Sequence, residues 1–164
     1  MKKNVLLVYG SGGHNEEMIR LYKQISKILN QCDDEINFLS LCDDDVKHIV
    51  TKEAVVIPSV TDKFSYVKLL MKIPFVAIKT LKILNELNRK QKIDFMITTG
   101  PGIGALAGLF FKLKKTKVIS IENSSRFYSK SLTGRALYHL ADYFIVQNEE
   151  LLDIYDKAIY KGRL

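Results

Sequence analysis

Twice within 164 residues a short apolar run breaks into a cluster of glycines that leads straight into a stretch of helical periodicity. Asn4 to Tyr9 is followed by Gly10-Ser11-Gly12-Gly13-His14, with Asn15, Glu16 and Glu17 opening a helix that reaches Leu29. Phe95 to Thr98 is followed by Thr99-Gly100-Pro101-Gly102-Ile103-Gly104, with Ala105 to Lys112 continuing as an apolar helix. Parallel strands need a crossover, usually a helix, and glycine permits the abrupt turn into it, so this arrangement predicts the β-α units of a parallel sheet. The runs Ile36 to Leu41, Ala54 to Ile57, Lys117 to Ile121 and Tyr143 to Val146 supply further strands, and a short helix is expected over Asp43 to Val50. The predicted fold class is α/β, a doubly wound parallel sheet. With 47% apolar residues a chain of this length buries one ordinary core, and no linker or repeat divides it, so residues 1–164 are read as one domain.

Glycine turns leave backbone amides uncovered, and a helix N-terminus favours negative charge in front of it. Gly10, Ser11, Gly12, Gly13, Thr99, Gly100, Gly102 and Gly104 are therefore candidates to receive an anion. Two such loops at the carboxyl ends of parallel strands border one crevice, the place where open α/β sheets bind ligands. The first loop is not a dinucleotide fingerprint, since Asn15 occupies the last glycine position, and it is not a phosphate loop of the GK[ST] kind. His14 is placed to face the same anion or to take a proton from an attacking hydroxyl; the alternative is a helix-capping histidine without chemistry. After the fifth strand, Glu122-Asn123-Ser124-Ser125-Arg126-Phe127 offers a carboxylate and a guanidinium suited to hydroxyl and phosphate contacts, unless Arg126 pairs with Glu122 or Asp142. A rival reading takes Gly102-Ile103-Gly104-Ala105-Leu106-Ala107 as GxGxxA, with Glu122 twenty residues after Gly102, and makes the chain a nucleotide- or S-adenosylmethionine-dependent enzyme. That fingerprint normally opens a domain, whereas here three strands precede it.

The net charge of +7 calls for a phosphate-bearing partner or surface, and its lysines and arginines gather between Lys63 and Lys92 and between Lys112 and Lys117. Phe64 to Leu87 interleaves apolar bulk with Lys68, Lys72, Lys79 and Lys82, a composition able to lie in a membrane interface through residues such as Phe64, Leu69 and Phe75. Pro74 is expected to kink this stretch or split it into two helices, and the alternative is a helix packed on the sheet with its lysines in water. A nucleic-acid role is set aside because the lysines alternate with aliphatic residues rather than stacking aromatics. No run is long enough to span a bilayer. Cys32 and Cys42 form no CxxC pair and no ligand cluster, so no metal is expected.

Several segments together resemble one family: Gly10-Ser11-Gly12-Gly13-His14 with Glu17, Thr98-Thr99-Gly100, Ile121-Glu122, Ser131-Leu132-Thr133-Gly134-Arg135, and Ala141-Asp142-Tyr143-Phe144-Ile145-Val146-Gln147. The set is similar to the acceptor-side, membrane-anchoring subunits of split N-acetylglucosaminyltransferases in dolichol-linked oligosaccharide assembly, and to their bacterial capsule and exopolysaccharide relatives. The resemblance implies a Rossmann-like domain like the amino-terminal half of a GT-B glycosyltransferase. It implies no cofactor in this chain, a UDP-sugar on a separate donor-binding subunit, and a heterodimer inactive without that partner. It also implies a polyprenyl-diphosphate-linked sugar as acceptor and a peripheral position on the cytoplasmic face of the cell membrane. In that picture the glycine loops and Arg126 face the diphosphate, while His14, Glu17 and Glu122 are the candidate base and its orienting groups. A non-catalytic role in recruiting the donor subunit is the competing implication. The chain departs from the family pattern at Asn148, where an aromatic is usual.

Overall fold

A computed structural model describes residues 2–31, 35–43, 46, 48, 50–51, 53–57 and 66–164, with side chains at all of these except 66–73. The elements run β1 (Lys3–Tyr9), α1 (Gly13–Leu29), β2 (Ile36–Asp43), β3 (Glu53–Ile57), α2 (Tyr66–Lys90), β4 (Phe95–Gly100), α3 (Gly102–Leu113), β5 (Lys117–Ile121), α4 (Leu132–Leu140), β6 (Tyr143–Val146), a short 3₁₀ turn at Glu149–Asp153, and β7 (Ile159–Tyr160). The sheet has seven strands in the order β3-β2-β1-β4-β5-β6-β7, and every pairing is parallel. The chain therefore winds outward in one direction from β1 and then in the other from β4. The seventh strand, Ile159–Tyr160, was not anticipated; two residues are too short for a hydrophobic period to register.

Both faces of the sheet are covered, which is why the central strands read as continuous apolar runs rather than alternating ones. On one face Leu6, Val8, Leu39, Leu41 and Ile57 pack with Leu84 and Leu87 of α2 and Ala107 and Phe111 of α3. On the other, Val5, Leu7, Tyr9, Cys42 and Ile97 pack with Met18 of α1. Each fully buried leucine of β1 contributes about 1.5–3 kcal/mol, so β1 anchors both layers. At the amino edge Asp142 ties a corner together, with Oδ2 accepting from the Val118 amide at 2.9 Å and Oδ1 facing the ammonium groups of Lys112 (2.9 Å) and Lys117 (3.5 Å). Burial alone would raise the Asp142 carboxyl, but the Val118 hydrogen bond and Lys112 together hold it below the usual carboxylate range.

Two expectations change. The Asp43 to Val50 stretch lies partly outside the described residues, and the described part assigns Asp43 to the end of β2 and no helix to residues 46, 48 and 50. Pro74 does not split its segment, since α2 is one helix of 25 residues. Pro74 is exposed, so on that face water can take up the carbonyl that loses its amide partner.

Candidate functional site

The carboxyl ends of β1 and β4 are drawn together by glycine. A Cβ on Gly10 would lie 2.5 Å from Pro101 Cδ, so the two loops meet only because that side chain is absent. Gly100 has φ 90°, and a Cβ there would lie 3.1 Å from Cε1 of His14. The imidazole fills that space. His14 Nδ1 lies 2.5 Å from the carbonyl oxygen of Thr99, and Thr99 Oγ1 donates back to the His14 carbonyl at 2.9 Å. A carbonyl only accepts, so Nδ1 carries the hydrogen and, in the neutral ring, Nε2 holds the lone pair. Nε2 has no hydrogen-bond partner among the described residues.

The opposite wall is built where β5 meets α4. Glu122, 6% exposed, accepts at Oε1 from the Asn123 amide (3.2 Å) and from Ser131 Oγ (3.1 Å), and at Oε2 from the Tyr155 hydroxyl (3.1 Å). Ser131 Oγ in turn accepts from the Gly134 amide at 2.7 Å and so caps α4. A Cβ on Gly134 would collide with Glu122 Oε2 and would lie 2.7 Å from Ser131 Oγ and 2.8 Å from the Tyr155 oxygen. Burial first, and then the Glu122 charge, push the Tyr155 hydroxyl far above its ordinary range, which keeps it a donor. Between the two walls lies a cavity of about 390 Å³ lined by His14, Thr99, Gly100, Pro101, Glu122, Asn123, Ser125, Arg126 and the first turn of α4.

Of the residues singled out in the sequence, His14, Thr99, Gly100, Glu122 and Arg126 meet in this cavity. Gly10 is buried behind it, and Ser11, Gly12, Gly13 and Gly102 do not line it. Gly104 packs against the Thr98 side chain, a helix-to-strand contact that accounts for the GxGxxA spacing without a ligand. Glu17 is 3% exposed and outside the cavity wall; its Oε1 accepts from the Ser124 amide (2.8 Å) and from Gln147 Nε2 (3.2 Å), so it holds the loop after β5. Arg126 makes no ion pair among the described residues, its guanidinium reaching only Ser129 Oγ at 3.4 Å, and Asp142 is taken by the lysines. Sequence reasoning passed over Tyr155. Its phenol lies 33 residues along the chain from Glu122, and in the sequence this wall was marked only by Glu122 and by the Ser131 to Arg135 segment that carries the family resemblance.

A second surface lies on α2. Phe75 is 71% and Ile78 57% exposed, beside exposed Lys79 and Lys82, and Leu113 at the end of the adjoining α3 is 76% exposed. Phe64 lies outside the described residues, and Lys68, Leu69 and Lys72 lie on α2 where side chains are not described. Among the described residues no helix is long and apolar enough to cross a membrane, and no group of acidic, histidine and cysteine side chains is placed to hold a metal.

This architecture is the fold of one half of a GT-B glycosyltransferase. It is shared with MurG of Acinetobacter baumannii (TM-score 0.64, 16% identity, 90% of this chain and 42% of that one) and with a UDP-N-acetylglucosamine 2-epimerase (TM-score 0.68, 14% identity, 99% and 49%). The chain spans less than half of either structure. Within that class it belongs to the family of Alg14-like oligosaccharide biosynthesis proteins, whose model matches residues 5–164. The human UDP-N-acetylglucosamine transferase subunit ALG14 is 28% identical over 180 residues, covering 98% of this chain and 82% of the human protein. The Kluyveromyces lactis protein of the same name is 30% identical over 188 residues, covering 100% and 80%.

Proposed function

We propose that this chain is the acceptor-holding subunit of a two-chain glycosyltransferase, working beside a separate subunit that binds a UDP-sugar. The acceptor is a sugar carried on a polyprenyl diphosphate, and the product is a lipid-linked oligosaccharide or a capsule- or exopolysaccharide-type chain. The observation that carries the reading is the meeting, in one cavity at the point where the sheet reverses its winding, of a fixed carboxylate with an imidazole Nε2 and a guanidinium that are unpaired among the described residues. The relatives' description as transferase subunits supports it.

In this reading His14 Nε2 accepts the proton of the attacking acceptor hydroxyl as its oxygen bonds to the anomeric carbon, while the bond from that carbon to the diphosphate breaks and the nucleoside diphosphate leaves. The Nδ1 hydrogen bond to Thr99 holds the ring in the required tautomer. Glu122 orients the acceptor hydroxyl or the sugar, and Arg126 with the uncapped ends of α1 and α3 faces the acceptor's polyprenyl diphosphate. Glu17 supports the loop rather than the reacting atoms. The exposed apolar and basic face of α2 rests on the cytoplasmic surface of the membrane, peripherally.

The test is a sugar-transfer assay on membranes bearing polyprenyl-linked acceptor, with this chain, its donor subunit, or both. Activity only with both supports the reading; transfer by this chain alone overturns it. His14 and Glu122 variants beside the wild-type partner separate catalysis from recruitment, because a pure recruitment module would leave turnover unchanged in both.

A further inference from the structure

The loop after β5 carries three cavity-lining side chains, Asn123, Ser125 and Arg126, yet it has little secondary structure of its own. Its internal hydrogen bonds run from the Ser125 amide to Asn123 Oδ1 (2.8 Å) and from the Arg126 amide to the Asn123 carbonyl (3.0 Å). Glu17 accepts from the Ser124 amide at 2.8 Å, and the other ties on the loop come from the far end of the chain. Asn148, two residues after β6 and 4% exposed, donates through Nδ2 to the Ser124 carbonyl at 2.7 Å and to the Arg126 carbonyl. Its Oδ1 accepts from Arg163 at Nε (2.8 Å) and Nη2 (2.5 Å). The same guanidinium reaches the Ser124 carbonyl at 3.4 Å and lies 5.1 Å from the centre of the Phe127 ring. Both amide hydrogens of Asn148 and its oxygen are thus in use, which is what a buried amide requires.

We propose that Asn148 and Arg163 are positioning residues that fix the backbone of residues 124–126, so that Arg126 presents its guanidinium to a diphosphate in the cavity. The proposal rests on the acceptor reading above. Charge-assisted hydrogen bonds from a fork-shaped guanidinium set a direction as well as a distance, so the clamp orders the loop more than a lysine would.

The test uses the full chain as wild type, Arg163→Ala, Arg163→Lys and Asn148→Ala. Arg163 is exposed, so its variants keep the question open if the buried Asn148→Ala fails to fold. Two readouts are taken: amide hydrogen exchange across residues 122–131, and titration with inorganic pyrophosphate by calorimetry. Exchange in the loop is expected to rise roughly tenfold or more in Arg163→Ala, with β1 and β4 unchanged. Pyrophosphate affinity is expected to fall severalfold, with Arg163→Lys recovering little of either. Unchanged loop exchange in Arg163→Ala overturns the clamp. Faster exchange with unaltered pyrophosphate affinity overturns the positioning role, leaving only a structural one. If the wild type itself binds no pyrophosphate, the acceptor reading of the cavity falls and takes the positioning role with it, a result told apart by the wild-type titration.

Discussion

The starts of α1, α3 and α4, each at the carboxyl end of a strand, are finished in two different ways. α1 and α3 start at Gly12 and Pro101 with no side-chain hydrogen bond to their first amides, whereas α4 starts at Ser131, whose hydroxyl accepts from the Gly134 amide and meets the Glu122 carboxylate. A side-chain cap is worth about 1 kcal/mol, so two helices forgo it while the third receives a cap and a carboxylate as well. The difference teaches that this carboxyl edge has an open half, whose helix ends are left without a side-chain cap, and a closed half, where the protein's own Ser131, held by Glu122, supplies one. The cavity lies across the seam between them.

The largest expected effect breaks the open half. His14→Ala, assayed with the donor subunit, should lower kcat by about 10²–10⁴ while leaving acceptor KM nearly unchanged, the range for loss of a general base. Equal losses in kcat and affinity would instead make His14 a binding residue. On the closed half, Gly134→Ala forces a methyl group onto the Glu122 carboxylate, the Ser131 hydroxyl and the fully buried Tyr155. The gain of about 1 kcal/mol in helix propensity does not offset an overpacking cost of about 1–3 kcal/mol or more in a site whose members are locked to one another. Net destabilisation should show in denaturant unfolding, and an unchanged midpoint would mean that the wall yields.

Glu17 sharpens the division between chemistry and support. Glu17→Ala leaves the Ser124 amide and Gln147 Nε2 without their acceptor and should cost about 1–3 kcal/mol in unfolding free energy. Glu17→Gln keeps an acceptor oxygen and should hold turnover within a few fold of wild type; a loss comparable to that of His14→Ala would return Glu17 to the reacting groups. The smallest effect belongs to Gly102 at the start of α3, where a Cβ meets nothing within 4 Å. Gly102→Ala should stabilise by about 0.4–1 kcal/mol through the unfolded chain, seen as a small rise in Tm, in contrast to Gly134→Ala at the start of α4.

Much of the fold was legible because parallel strands buried on both faces announce themselves as apolar runs, and because β1 and β4 each end in glycine. The candidate site was legible in part. His14, Thr99, Gly100, Glu122 and Arg126 converge as expected, but Gly10 and Gly104 turned out to serve packing against Pro101 and Thr98. A glycine needed for a ligand's approach and one needed for a neighbour's look the same in sequence. Asn148 was visible only as an oddity, since its partners lie 22 and 24 residues upstream and 15 downstream.

What the sequence determined by itself is the set of local commitments: strand, glycine turn and helix, repeated in an order that permits only a parallel, doubly wound sheet. What the tertiary structure decided is which of two similar glutamates faces the cavity and which supports its loop, and which helix ends stay open. Those choices depend on atoms brought together from opposite ends of the chain, Glu17 with Gln147 and Glu122 with Tyr155, and such pairings follow from packing rather than from any local period.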